Sequence, residues 1–246
     1  MGTAIMITSG KGGTGKTTLT AGISSCLAAI GLRVLCIDMD IGLRNLDISL
    51  GMSDRTVMDF SDVVEGRCTL ERGVASHPVI KGLDLLTAPM RLPSEQISSD
   101  RMRQFIQQAK QSYDYVMIDS PAGIGSGFQL ALSGADRVIV VTTNDPSSLR
   151  DAQRAVGEIS RTHGQIHLVM NRIQPKLMKQ LHTTIDDAMD TAGLPLLGVV
   201  PEDSQVSLAL GEGTPLVLAS RHGAAVACLN IARRIHGERI PLMKIH

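Results

Sequence analysis

The chain has 246 residues, 43% of them hydrophobic and only 2% aromatic; that is long enough for a sizeable core, which must be built from aliphatic side chains. Lys and Arg number 24 against 24 Asp and Glu, so no net positive field draws the chain to nucleic acid. No apolar run reaches transmembrane length, no signal-peptide pattern opens the chain, and the four cysteines (Cys26, Cys36, Cys68, Cys228) show no CxxC spacing. No disulfide framework is expected in a chain of this size, Cys26 and Cys36 in their apolar runs are expected to be buried free thiols, and the expected compartment is the cytoplasm.

In chain order the first predicted elements are a strand at Ala4–Thr8, a helix at Lys16–Ile30 and strands at Val34–Ile37 and Leu83–Thr87. A helix from about Asp100 to Gln111 leads to a strand at Tyr115–Ile118, and a helix at Ser126–Ser133 to a strand at Val138–Thr142. A helix over Ser147–His163 precedes a strand at Ile166–Met170, and a single helix over Lys176–Ala192 precedes a strand at Leu196–Val200. Helices at Ser204–Gly211 and Gly223–Ile235 complete the pattern. The strand runs are nearly continuous in Val, Ile, Leu and Met, as in strands buried on both faces of a parallel sheet. Strand–helix alternation implies right-handed crossovers and a three-layer α/β fold, with a mostly parallel sheet flanked by helices. Residues 1–236 are expected to form one domain and 237–246 a tail.

Gly10–Thr17 reads G-K-G-G-T-G-K-T, which fits the phosphate-loop pattern between a strand and a helix. Glycines let backbone N–H groups turn inward onto phosphate oxygens, and the helix N-terminus adds its dipole. Lys16 is placed to reach the β/γ oxygens, and the Thr17 hydroxyl to ligate Mg²⁺. Such a site needs a further acidic group at the end of another buried strand. Asp119, closing "YVMID", supplies it, and Gly123 follows where a backbone N–H can approach a γ-phosphate. Asp38 and Asp40 end the Val34–Ile37 strand and share a face while the chain stays extended. Alone they read equally as a solvated turn. Beside a phosphate loop they can orient metal-bound and attacking water, since ligands in open α/β sheets bind at strand C-termini.

Lys11 directly follows the first glycine, giving K-G-G-T-G-K-T-T. This resembles the deviant phosphate-loop signature of the MinD/ParA class of P-loop ATPases. Further stretches, "DMDIGLRNLDISLG", "DSPAGI", "SSLRDAQR" and "VVPEDSQV", resemble the division-site-placing MinD group within that class. The resemblance implies an ATPase of low intrinsic turnover that uses ATP and Mg²⁺ and forms an ATP-dependent homodimer. It assigns Lys11 to the partner subunit's nucleotide, Lys16 to its own, and Asp40 to water positioning. It implies Gly12, Gly13, Thr14, Gly15, Lys16, Thr17 and Thr18 as the phosphate cradle. Thr17 and Asp38 become metal or metal-water contacts, and Asp119 a residue acting on the metal through one of its ligands. Asn171, Pro201, Glu202 and Asp203 become the adenine pocket; Asn171 has the donor and acceptor for an adenine edge, although by itself it also reads as a strand-end turn residue.

The same resemblance places regulatory partners, a division inhibitor or an ATPase activator, on Ser147–His163, and expects a peripheral location on the inner membrane face. Relatives of this group carry a basic amphipathic helix at the C-terminus. Here Gly237 and Pro241 interrupt any such helix, so the tail reads as degenerate or truncated. The alternatives are flagellar-number or DNA-partitioning relatives, which need a basic surface if they hold DNA, and a small-molecule P-loop kinase or ligase, which has no use for Lys11.

Overall fold

The computed structural model describes residues 1–53, 55, 58–90 and 97–243. In chain order the elements are β1 (Thr3–Thr8), α1 (Lys16–Ala29), β2 (Val34–Asp38), α2 (Leu46–Ser49), α3 (Phe60–Val64), α4 (Leu70–Gly73), β3 (Ala75–Ser76), β4 (Leu83–Leu86), α5 (Ser99–Ser112) and β5 (Tyr115–Asp119). The second half adds α6 (Ser126–Ser133), β6 (Arg137–Thr142), α7 (Pro146–Ile159), β7 (Ile166–Ile173), α8 (Pro175–Leu181), α9 (Ile185–Ala192), β8 (Leu196–Pro201), α10 (Ser204–Gly211), α11 (Leu216–Ala219) and α12 (Gly223–Ile235). Among the described residues the strands form one eight-stranded sheet in the order β3-β4-β2-β5-β1-β6-β7-β8. Every pairing is parallel except β3 with β4.

The central strands alternate their side chains between two cores, as a strand buried on both faces must. Ala4, Met6, Leu35, Ile37, Val116 and Ile118 enter one core with Phe60, Phe105 and Phe128. Ile5, Ile7, Val34, Cys36 and Met117 enter the other, beneath α1 and α12. Cys26, Cys36 and Cys228 are buried free thiols.

Three expectations are corrected. The helix expected over Lys176–Ala192 is two, because the chain turns left-handed at His182 (φ 54°) and Thr184 starts α9 with a capping box. The helix expected over Ser147–His163 begins at Pro146, with Asp145 accepting from Ser148 N–H as its cap, and ends at Ile159. Among the described residues the strands number eight, because β3, a two-residue edge strand, joins the seven expected.

Candidate functional site

β1 and β5 are neighbours, β2 lies on the far side of β5, and the three strands end in step. Ile7 pairs with Asp119, and Asp38 pairs with Asp119. The loop after β1, the Asp38 carboxylate and the Asp119 carboxylate therefore converge at the C-terminal edge of the sheet, where an open α/β sheet offers its ligand crevice.

The loop from Gly10 to Gly15 is glycine-rich for two distinct reasons. Gly13 (φ 79°) and Gly15 (φ 89°) take left-handed backbone, which side chains rarely tolerate. Gly10 instead lies so close to α7 that an added Cβ would stand 2.0 Å from the Asp151 carbonyl oxygen. Lys16 opens α1 and is buried. The one-turn spacing of Thr17 and Thr20 puts both hydroxyls on Asp119: Thr17 Oγ1 donates to Oδ2 at 2.7 Å and Thr20 Oγ1 to Oδ1 at 3.0 Å.

Asp38 and Asp40 part company. Asp38 is fully buried and accepts backbone N–H groups from Asp40 (2.9 Å) and Leu46 (3.1 Å). Asp40 is partly exposed at the mouth of the site, because the chain turns after Met39; the Asp40 carbonyl accepts from the N–H groups of Leu43 and Arg44. The shared face expected for the pair is lost in that turn. Burial, then the neighbouring Asp38 charge, pushes Asp119 up to about 7. Burial likewise pushes Asp38 up to about 6, against its two N–H donors. Burial also raises Asp40, while the Lys16 ammonium pulls it down. Two buried carboxylates in adjacent register, with a hydroxyl and a lysine beside them, are a donor set that an oxygen-seeking cation would relieve.

A cleft of about 350 Å³ runs from the loop past the start of α1 to α10 and α12, lined by Gly13, Gly15, Thr18, Asn171, Pro201 and Val206 among others. Asn171 is buried and donates through Nδ2 to the Thr14 carbonyl at 2.8 Å, which leaves its Oδ1 for the cleft. Glu202 is held by Arg172, whose Nε lies 2.7 Å from Oε2. The Asp203 carboxylate is already engaged: Oδ1 accepts from Gln205 N–H and Oδ2 from Ala224 N–H, joining the starts of α10 and α12. Asp203 thus shapes the cleft by fixing two helices. The glycine cradle, the free helix N-terminus and this cleft fit a nucleotide, and the Thr17–Asp119–Asp38 group fits Mg²⁺.

Lys11 stands apart from Lys16. Its ammonium donates to Ser147 Oγ at 2.7 Å and pairs with Asp145 at 3.7 Å, at the start of α7. Burial opposes ionisation of Asp145, but hydrogen bonds from Ser147, Ser148 and Thr143 hold it well below the usual carboxylate range. Asp145 and Thr20 escaped the sequence reading. The Asp145–Pro146 pair carries the cap-then-proline signature of a helix start, and Thr20 lies one turn beyond Thr17.

Residues 5–216 match the model of the CobQ/CobB/MinD/ParA nucleotide binding domain. The chain is 42% identical over 246 residues to the septum site-determining protein MinD of Bacillus subtilis, covering 98% of this chain and 92% of that protein. It is 38% identical over 247 residues to its counterpart in Synechocystis, at 99% and 92% coverage. A chain of the MinC:MinD cell division protein complex of Aquifex aeolicus superposes with a TM-score of 0.91 at 39% identity, covering 98% of both chains. MinD of Pyrococcus horikoshii, solved with Mg-ADP, superposes with a TM-score of 0.85 at 29% identity, covering 96% of this chain and 97% of that one. This chain belongs to the MinD family of the CobQ/CobB/MinD/ParA nucleotide-binding proteins.

Proposed function

We propose that this chain is a Mg²⁺-ATP-dependent ATPase switch of the MinD type, acting in placement of the division site, and that ATP closes two copies of it face to face. The observation that carries the dimer is the second lysine. Lys16, buried at the start of α1, suffices for a nucleotide in its own subunit. Lys11 is partly exposed on the outer side of the loop and reaches no group of its own phosphate cradle.

The residues divide the work by position. Backbone N–H groups of the loop, Lys16 and the α1 N-terminus hold phosphate oxygens. Thr17 supplies a hydroxyl to the metal, with Asp119 orienting that hydroxyl and Asp38 taking a metal-bound water. Bound Mg²⁺ supplies neutralisation of phosphate charge, which with positioning is most of what phosphoryl transfer needs. Asp40, partly exposed and within the field of Lys16, orients the attacking water. Asn171, Pro201 and Glu202 frame the base, and Asp203 fixes the walls around it. Residues 1–236 form the ATPase unit in this reading.

The exposed side of α7 presents Arg150, Gln153, Arg154 and Gly157, with Arg161 beyond its end, and is the face we assign to regulatory partners. The MinC:MinD complex of the Aquifex relative supports a division inhibitor among them. No described helix is long and apolar enough to cross a membrane. We assign this chain to the cytoplasm with peripheral contact at the inner membrane face, which co-sedimentation with anionic liposomes in ATP and in ADP tests. The catalytic reading is tested by phosphate release from Mg²⁺-ATP. The wild type turns over, Lys16→Ala does not, and a silent wild type would overturn the assignment.

A further inference from the structure

The helix α2 is a single turn of four residues, too short to hold itself in water. Its first residue matters to the site, because Leu46 N–H donates to Asp38 Oδ2 at 3.1 Å. At its other end, the Leu50 carbonyl lies 3.0 Å from Nε2 of His77, a buried residue of the turn after β3. Leu50 N–H in turn donates to the Leu46 carbonyl at 3.0 Å. A continuous run of hydrogen bonds therefore joins the His77 ring to the Asp38 carboxylate through one helical turn.

The ring's protonation is fixed by its neighbours. Nδ1 accepts from Val79 N–H at 3.1 Å and from Ile80 N–H at 2.9 Å, so it carries no proton. Nε2 must then be the N–H that donates to Leu50. We propose that His77 is a positioning residue for Asp38: as the neutral Nε2–H imidazole it clamps the C-terminal end of α2 and so holds Leu46 N–H on the carboxylate. Leucine side chains at both ends of α2 also anchor it, since Leu46 and the C-cap Leu50 are fully buried. What the imidazole adds is orientation along the helix axis, which apolar packing does not specify. The proposal rests on the assignment of Asp38 to a metal-bound water.

Two substitutions divide the ring's roles. His77→Asn retains an acceptor for the Val79 and Ile80 amides, as in an Asx turn, but has no donor that reaches Leu50. His77→Gln retains a donor of the right length. The readouts are hydrogen exchange of the Leu46 amide, ADP affinity without Mg²⁺, and kcat with its Mg²⁺ dependence. In His77→Asn, Leu46 exchange accelerates and kcat falls about tenfold, with half-saturation by Mg²⁺ moving upward. ADP affinity without metal stays within about twofold of the wild type, because the phosphate loop is untouched. His77→Gln recovers part of both losses. Unchanged Leu46 exchange and kcat in His77→Asn would overturn the proposal, as would equal losses in the two variants. If neither variant folds, the wild-type imidazole decides: ¹⁵N shifts must show Nδ1 bare and Nε2 protonated, and the reverse tautomer overturns it. A wild type that hydrolyses no ATP fails the ATPase assignment instead, leaving the exchange and tautomer results standing.

Discussion

Lys11 Nζ lies 2.7 Å from Ser147 Oγ, so the lysine we assign to a second subunit is tied, in this structure, to the start of its own helix α7. Closing on a partner must break that contact. Lys11 and Ser147 are both exposed, and an exposed charged contact of this kind contributes roughly 0.5 kcal/mol. Ser147→Ala, which leaves the Asp145 cap of α7 in place, is expected to lower the ATP concentration for half-maximal dimerisation about twofold. Analytical ultracentrifugation across an ATP titration checks this. A higher midpoint would mean that Ser147 serves the dimer and does not restrain Lys11.

Gly10→Ala tests the seat of the loop. Its methyl would meet the Asp151 carbonyl at 2.0 Å, so either α7 or the loop must move. The expected cost is about 1–3 kcal/mol of stability, together with a large loss of nucleotide affinity. Thermal unfolding and fluorescent-ADP titration read the two effects. Tolerance of the alanine would show that α7 and the loop move freely of one another.

Asn171→Ala removes the Nδ2 donor from the Thr14 carbonyl and leaves that buried acceptor unpaired. ADP affinity is expected to fall about tenfold, corresponding to a buried hydrogen bond and the loop order it maintains. Calorimetry with ADP, and with GDP as a comparison, separates a general loss from a loss of base preference. Unchanged ADP affinity would remove Asn171 from the site.

The paired carboxylates make a prediction about pH. Asp119 at about 7 and Asp38 at about 6 both lie above the ordinary 3.8. Between about pH 4 and 7 the folded chain thus binds more protons than the unfolded one, and stability falls as pH rises through that window. His77 and His167 are both lowered by burial. They act in the opposite sense, contributing stability above 6.5 that is lost as pH falls. Nucleotide-free protein should therefore lose stability from about pH 6 to about pH 8, by an amount on the order of 1 kcal/mol. Mg²⁺ with nucleotide should flatten the dependence. In the double variant Asp38→Asn, Asp119→Asn the loss of stability between about pH 6 and 8 should disappear. Urea midpoints across the range read this, and a double variant with the wild-type slope would contradict it.

The sheet was readable because its strands are buried on both faces, leaving runs such as Val34–Ile37 with no polar interruption. The phosphate loop was readable because backbone geometry demands glycine at Gly13 and Gly15, and few other demands produce that spacing. Asp38 and Asp119 were found from their strand-end positions read together with the phosphate loop, and they converge. What sequence periodicity missed is set by tertiary contacts. α2 and β3 are too short to leave a pattern, and they are held by Asp38, Leu50 and His77. The break at His182–Thr184 did leave a local sign, the Thr184–Asp187 capping box, hidden inside an otherwise helical stretch. The partner of Lys11 lies 136 residues away at Ser147, beyond the reach of any local rule.

In the function we propose, Lys11 acts across a dimer that only ATP closes. Size-exclusion chromatography with light scattering, on wild type and Lys11→Ala in Mg²⁺-ATP and Mg²⁺-ADP, tests it most directly. The wild type should double its mass in ATP alone. Lys11→Ala should stay monomeric in both nucleotides while still binding ADP. A wild type that remains monomeric in ATP, or a Lys11→Ala chain that dimerises as well as the wild type, would rule out a role for Lys11 across the dimer.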